Sequence, residues 1–262
     1  MTKAALLIGI NYRGTDSELN GCINDIVHTE KVLRDEYGFI DIKRLTDDTH
    51  MKPTGANIVR ELYDLVLRTY TQDLRQIWVS YSGHGYFVRD QGGDEKDGRD
   101  EVIIPIDCDT NGYVSDDLIR RVLSMANPKT KCVCIFDCCH SGTVLDLKYK
   151  YEAGNKCVIE NECSDIKADV IMVSGCMDTQ TSADAYNVLN AQKYQGAITA
   201  SLLHSLKEHD YSITCYQLLK HMRAFLKDKG FDQVPQLTSS RKLNNISIFS
   251  AKRLNVYMES ER

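Results

Sequence analysis

Short apolar runs alternate along this chain with stretches of helical periodicity, and that alternation decides its class of fold. Ala4–Ile10, Gln76–Ser82, Val102–Ile106, Lys131–Phe136 and Val170–Ser174 read as buried strands. Between them, residues 20–37 carry Ile23, Ile26, Val27 and Val32 at helical spacing and stop at Gly38. Thr54 is a good N-cap for a helix through Val59, Leu62, Leu65 and Val66, and Ser115 caps another to about Met125. Ile198–Glu208 and Thr214–Lys227 have the same helical pattern. Strands alternating with helices predict an α/β fold, a mostly parallel sheet flanked by helices on both faces. Asp41–Leu45 reads as an edge strand, Asn245–Phe249 as the last strand, and Phe87–Glu101 as a glycine-rich acidic loop. The polar stretch of mixed charge over residues 148–168 reads as an exposed loop. With no internal repeat or proline-rich linker, residues 1–262 are expected to form a single domain.

Two of the strand runs end in the same unusual way. Ile77–Gly85 closes in Ser-Gly-His-Gly, and Cys134–Gly142 closes in Asp-Cys-Cys-His-Ser-Gly. If the strands are neighbours, His84 and Cys139 meet at one edge of the sheet. Free cysteine is only a few per cent thiolate at neutral pH, so a thiol nucleophile needs such a proton acceptor. The backbone N–H groups of Cys139 and Gly85 are placed to receive the oxyanion of a tetrahedral intermediate. A lone Cys or His would more simply be a core residue; two matched turns carrying the two halves of a dyad favour catalysis. Zinc is the weaker reading of the cysteine run. Cys132 and Cys134 alternate within a strand while Cys138 and Cys139 lie beyond its end, and no second Cys-x-x-Cys pair follows.

Composition removes other classes. A formal net charge of −5 without a basic run argues against a nucleic-acid surface. No segment approaches the roughly 18 apolar residues of a membrane span, and the opening residues read as a strand rather than a signal peptide. Ten cysteines, several inside apolar runs, suit free thiols in a reducing, cytoplasmic setting. A nucleotide-binding reading of Gly9–Gly14 fails on glycine spacing.

The two turn motifs resemble the catalytic signatures of metacaspases, a caspase-fold family of cysteine peptidases. Further stretches match in the family's order: Gly-Ile-Asn-Tyr (9–12), Leu-Asn-Gly-Cys-Ile-Asn-Asp (19–25), Asp-Gly-Arg-Asp-Glu-Val-Ile-Ile-Pro-Ile-Asp (97–107) and Ser-Gly-Cys-Met-Asp-Thr-Gln-Thr-Ser-Ala-Asp-Ala (174–185). The resemblance implies a caspase-like sheet with a large-subunit-like region over about 1–147 and a small-subunit-like region over about 169–262. It lacks the proline-rich N-terminal extension that many relatives carry, and Cys138 stands where many carry serine. His84 becomes the general base and Cys139 the nucleophile. A non-catalytic caspase-like scaffold is the alternative.

The resemblance also implies cleavage of protein or peptide substrates after Arg or Lys, which requires carboxylates able to pair with guanidinium or ammonium. Asp25, Ser82 and Asp137 fall on the family's pocket motifs, and Asp184 is a further candidate. Asp137, two residues before the thiol at a strand end, fits that role from position alone, although it could instead hold the turn through backbone N–H groups. Carboxylates crowd residues 94–101, and Asp116 and Asp117 begin a helix, a hard-oxygen composition that suits calcium. An EF-hand does not fit residues 107–118, because Leu118 occupies the position of the bidentate glutamate. Resemblance to calcium-activated members implies Asp100, Asp116, Asp117 and Asp146 as ligands of an activating Ca2+. Self-cleavage is expected near Lys148, Lys150 or Lys156, in a protein expected to be monomeric.

Overall fold

A computed structural model describes residues 2–89, 99–138, 145–152, 156–162, 164, 166–175, 184–186, 194–244 and 246–249, with the backbone alone at 184–186, 194 and 195. In chain order the elements are β1 (Thr2–Gly9), α1 (Cys22–Asp35), β2 (Asp41–Thr46), α2 (Gly55–Thr71), β3 (Leu74–Ser82), β4 (Gly85–Arg89), β5 (Arg99–Ile103), α3 (Cys108–Asn111), β6 (Val114–Ser115) and α4 (Asp116–Ser124). They continue with β7 (Lys131–Asp137), β8 (Tyr149–Tyr151), β9 (Cys157–Ile159), β10 (Asp169–Ser174), β11 (Asp184–Tyr186), β12 (Tyr194–Gly196), α5 (Ala197–Glu208), α6 (Cys215–Asp228) and β13 (Gln236–Ser239).

Eight strands form one sheet in the order β2-β1-β3-β7-β10-β13-β8-β9. The first five are mutually parallel, and β13, β8 and β9 add antiparallel pairs at the far edge. The apolar runs are continuous because the central strands are buried on both faces. Leu6, Ile8, Val79 and Cys134 face one core with α2 and α4. Leu7, Trp78, Val133 and Ile171 face another with α1, α5 and α6. The α/β sheet with helices on both faces is therefore present.

Three expectations fail. Phe87–Glu101 is not wholly a loop: β4 and β5 pair antiparallel, from Gly85 opposite Ile103 to Arg89 opposite Arg99. Among the described residues the last strand is Gln236–Ser239, whose polar side chains are buried, while Ile248 and Phe249 pack into the core beside a single bridge from Ser247 to Thr214. Residues 148–168 are not simply an exposed loop either. They include the β8–β9 hairpin, and Tyr151 is buried with its hydroxyl against Ser239 Oγ at 3.0 Å. The seven described cysteines are all free thiols. No helix among the described residues is long and apolar enough to cross a membrane.

Candidate active site

The carboxyl ends of β1, β3 and β7 lie side by side, with Gly9 opposite Ser82 and Ser82 opposite Asp137. Ligands of open parallel sheets gather outside such ends. His84 follows β3 there, and Cys139 follows β7 by two residues but lies outside the described residues. The described ends of β3 and β7, Ser82 and Asp137, lie at one edge of the sheet. The His84 Nε2 atom is 2.7 Å from the carbonyl oxygen of Ser17. A carbonyl only accepts, so Nε2 carries the proton and Nδ1 is the basic nitrogen. The imidazole also lies against the Tyr12 ring, tilted by 39° with 4.7 Å between centroids. His84 is half-exposed. Gly85 begins β4 and pairs with Ile103.

Asp25, Ser82 and Asp137 come together beside this edge, all of them buried. Ser82 Oγ donates to Asp25 Oδ2 at 2.6 Å. The N–H of Gly196 donates to both Asp25 oxygens, at 3.0 and 3.1 Å, and that of Thr199 to Asp137 Oδ2 at 2.7 Å. Gly196 is the N-cap of α5, so the positive end of that helix rests on both carboxylates. A Cβ on Gly196 would collide with the Asp137 carboxylate and come within 2.8 Å of Asp25 Oδ2. This contact with α5 was not visible in the sequence, where residues 196–199 carry no charge. The Asp184 side chain lies outside the described residues.

The carboxylates proposed for calcium divide. Asp116, buried at 3% exposure in the first turn of α4, has an Oδ2 atom that accepts no hydrogen bond among the described residues. Burial, with Glu101, Asp146 and Asp117 nearby, pushes its carboxyl up to about 9, against a helping hydrogen bond from the Asp117 backbone. Glu101 and Asp146 are buried too. Asp100 and Glu101 alternate along β5, and it is Glu101 whose charge acts on Asp116. Glu101 is thus a further buried carboxylate beside the Asp100, Asp116, Asp117 and Asp146 set, and its charge bears on Asp116. No three His, Cys, Asp or Glu side chains among the described residues converge into a ready-made metal cage. A buried hard-oxygen atom among like charges nevertheless suits a calcium-type cation, whose charge would offset the repulsion.

Comparison with known proteins agrees with the motifs. The family described as metacaspase, peptidase C14 domain, matches residues 3–148. Metacaspase-1 of Meyerozyma guilliermondii is 35% identical, over 91% of this chain and 69% of its own length. Metacaspase-1A of Neurospora crassa is also 35% identical, over 94% of this chain and 64% of its own length. The chain thus spans about two thirds of these relatives. Caspase-1 from Spodoptera frugiperda shares the fold with a TM-score of 0.60 at 11% identity, covering 95% of this chain and 90% of that one. With motifs in order, a caspase-like sheet and relatives of this similarity, the chain belongs to the metacaspase family of cysteine peptidases.

Proposed function

We propose that this chain is an active endopeptidase that cuts protein or peptide substrates after Arg or Lys and is activated by calcium. The observation that carries the specificity is the convergence of Asp25, Ser82 and Asp137 beside His84, two carboxylates and a hydroxyl at the edge where the thiol turn begins. The Cys139 thiolate attacks the scissile carbonyl, forming the C–S bond. The N–H groups of Cys139 and Gly85 hold the oxyanion, His84 gives its acquired proton to the leaving amine as C–N breaks, and water hydrolyses the thioester. A panel of fluorogenic peptides differing only at P1, assayed with calcium and with chelator, tests this. Arg and Lys peptides should be cut and Asp and Ala peptides spared. Equal rates across the panel would defeat the specificity, and chelator-independent rates the activation.

Self-cleavage belongs to the same reading. Lys156 is the exposed lysine of the β8–β9 hairpin, paired at the surface to Glu152 at 3.1 Å, whereas Lys150 is paired to Glu160 at 3.2 Å and largely covered. Intact mass after calcium addition should show a cut after Lys156 or Lys148 that is absent in Cys139→Ala.

Asp100, Asp116, Asp117 and Asp146 would hold the cation, with the Glu101 charge beside Asp116, and the cation would supply charge neutralisation and take no part in bond making. The stability consequence has a definite sign. A carboxyl whose pKa is raised by folding, here to about 9, favours the folded state below its ordinary value near 3.8. That contribution is lost as pH rises through about 9. Cation-free protein should therefore lose stability from about pH 4 to 9. Asp116→Asn should flatten that fall and raise the melting temperature at pH 8 by roughly 5 °C, while abolishing stabilisation by calcium. Thermal scans from pH 5 to 9 with and without calcium check both halves.

A further inference from the structure

Tyr12 follows β1 at the active edge and has φ of +52°, a left-handed conformation that side-chain-bearing residues adopt rarely. Its three polar or aromatic parts all lead to His84. The Tyr12 carbonyl accepts from Thr15 N at 3.2 Å and Thr15 Oγ1 at 2.7 Å, and Leu19 N bonds Asn11 O at 2.8 Å. These bonds fold residues 12–19 into the loop that presents the Ser17 carbonyl to Nε2. The Tyr12 ring lies against the imidazole. The Tyr12 hydroxyl accepts the backbone N–H of His84 at 2.9 Å and donates to Ile104 O at 2.6 Å.

Tyr81 completes the arrangement from β3. Its hydroxyl donates to the His84 carbonyl at 2.6 Å, accepts from Ile104 N at 3.3 Å and lies 3.0 Å from the Tyr12 hydroxyl. Each phenol has one proton, and each is accounted for: Tyr12's on Ile104 O, Tyr81's on His84 O. Gly83 makes this possible, since a Cβ there would fall 2.7 Å from Tyr81 Oη and 2.9 Å from Tyr12 Oη. Burial pushes both phenols well up, so they remain protonated donors.

We propose that Tyr12 and Tyr81 are positioning residues for the reaction: their hydroxyls clamp the N–H and C=O of His84, and Tyr12 aligns the imidazole so that Nδ1 meets the thiol. This rests on His84 being the general base. A base needs placement to a fraction of an ångström, and a turn next to Gly83 and Gly85 does not hold itself rigid.

The test uses the full chain as wild type, Tyr12→Phe, Tyr81→Phe and His84→Ala. Melting temperature, kcat and KM on an Arg or Lys fluorogenic peptide, and the pH dependence of Cys139 alkylation by iodoacetamide are measured, with the alkylated thiol identified by peptide mapping. Each Phe variant should lose about 10- to 50-fold in kcat with KM within threefold. The alkylation inflection should move toward the free-thiol value by about one unit, a tenfold loss of thiolate at neutral pH. Tyr12→Phe keeps the tilted ring contact, so Tyr12→Leu should lose more than Tyr12→Phe. Phe variants with kcat within twofold of wild type, or losses confined to KM or proportional to lost melting temperature, overturn the clamp. If neither Phe variant folds, hydrogen exchange of the His84 amide in wild type decides: protection supports the clamp and rapid exchange overturns it. An active His84→Ala would remove the base and the clamp together, whereas an inactive His84→Ala beside normal Phe variants removes the clamp alone.

Discussion

His84→Ala should lower kcat by about 10²–10⁴-fold on the best Arg or Lys peptide, with KM changed by less than threefold. Removing the imidazole takes away both the group that draws the proton from the thiol and the one that returns it to the leaving amine. The fold should survive: His84 is half-exposed, Tyr12 keeps its bond to Ile104 O, and Tyr81 keeps its bond to the backbone carbonyl of residue 84. Cys139→Ala should abolish turnover outright, since no second nucleophile takes its place at the same carbon. Cys138 is buried and beside it in sequence, so peptide mapping of a thiol-reactive inhibitor should find the label on Cys139 and not on Cys138. Steady-state kinetics on the two variants, with melting temperatures as a control for folding, are sufficient. Retention of more than a tenth of wild-type kcat in His84→Ala would remove it from the chemistry.

The two turn motifs were legible in the sequence for a structural reason. Strands buried on both faces must be continuously apolar, so a polar turn carrying His or Cys stands out at their ends, as at Ser82–Gly85 after β3. The parallel core was legible on the same ground. Elements with weaker hydropathy contrast were not. β5 begins with Arg99, Asp100 and Glu101, whose charges mask its strand alternation. β13 buries Gln236, Thr238 and Ser239 in place of apolar side chains. Ile248 and Phe249 look like a strand yet pack irregularly, Phe249 against Tyr37, Phe39 and Trp78. In the site, contacts distant in sequence were invisible: the Tyr12 hydroxyl reaches His84 N across 72 residues, and Gly196 N reaches Asp25 across 171. That Glu101 is buried and bears on Asp116 depends on which face of β5 points inward, a parity that the carboxylate run itself does not reveal.

The second large effect is expected at the buried acids. Asp137→Asn should cut kcat/KM for Arg and Lys peptides by about 100-fold or more, chiefly through KM, because a buried charged partner lost from an ion pair costs 2–5 kcal/mol. The substitution separates the two roles open to this residue. An asparagine oxygen still accepts the Thr199 N–H, so anchoring of α5 persists while the negative charge goes. If Asp137 served α5 alone, Asp137→Asn would leave kcat/KM near wild type. Gly196→Ala probes the same place from the other side: its Cβ would drive into the Asp137 carboxylate and crowd Asp25, moving both acids and the start of α5 together. It should lose peptide turnover at least as severely as Asp137→Asn and also melt at lower temperature, whereas Asp137→Asn should hold its melting temperature to within a few degrees. Cys139 alkylation in Asp137→Asn should stay near the wild-type rate, since the small reagent needs a thiolate and no basic side chain. A matching fall in alkylation would place Asp137 in activation of the thiol rather than in recognition of the cation.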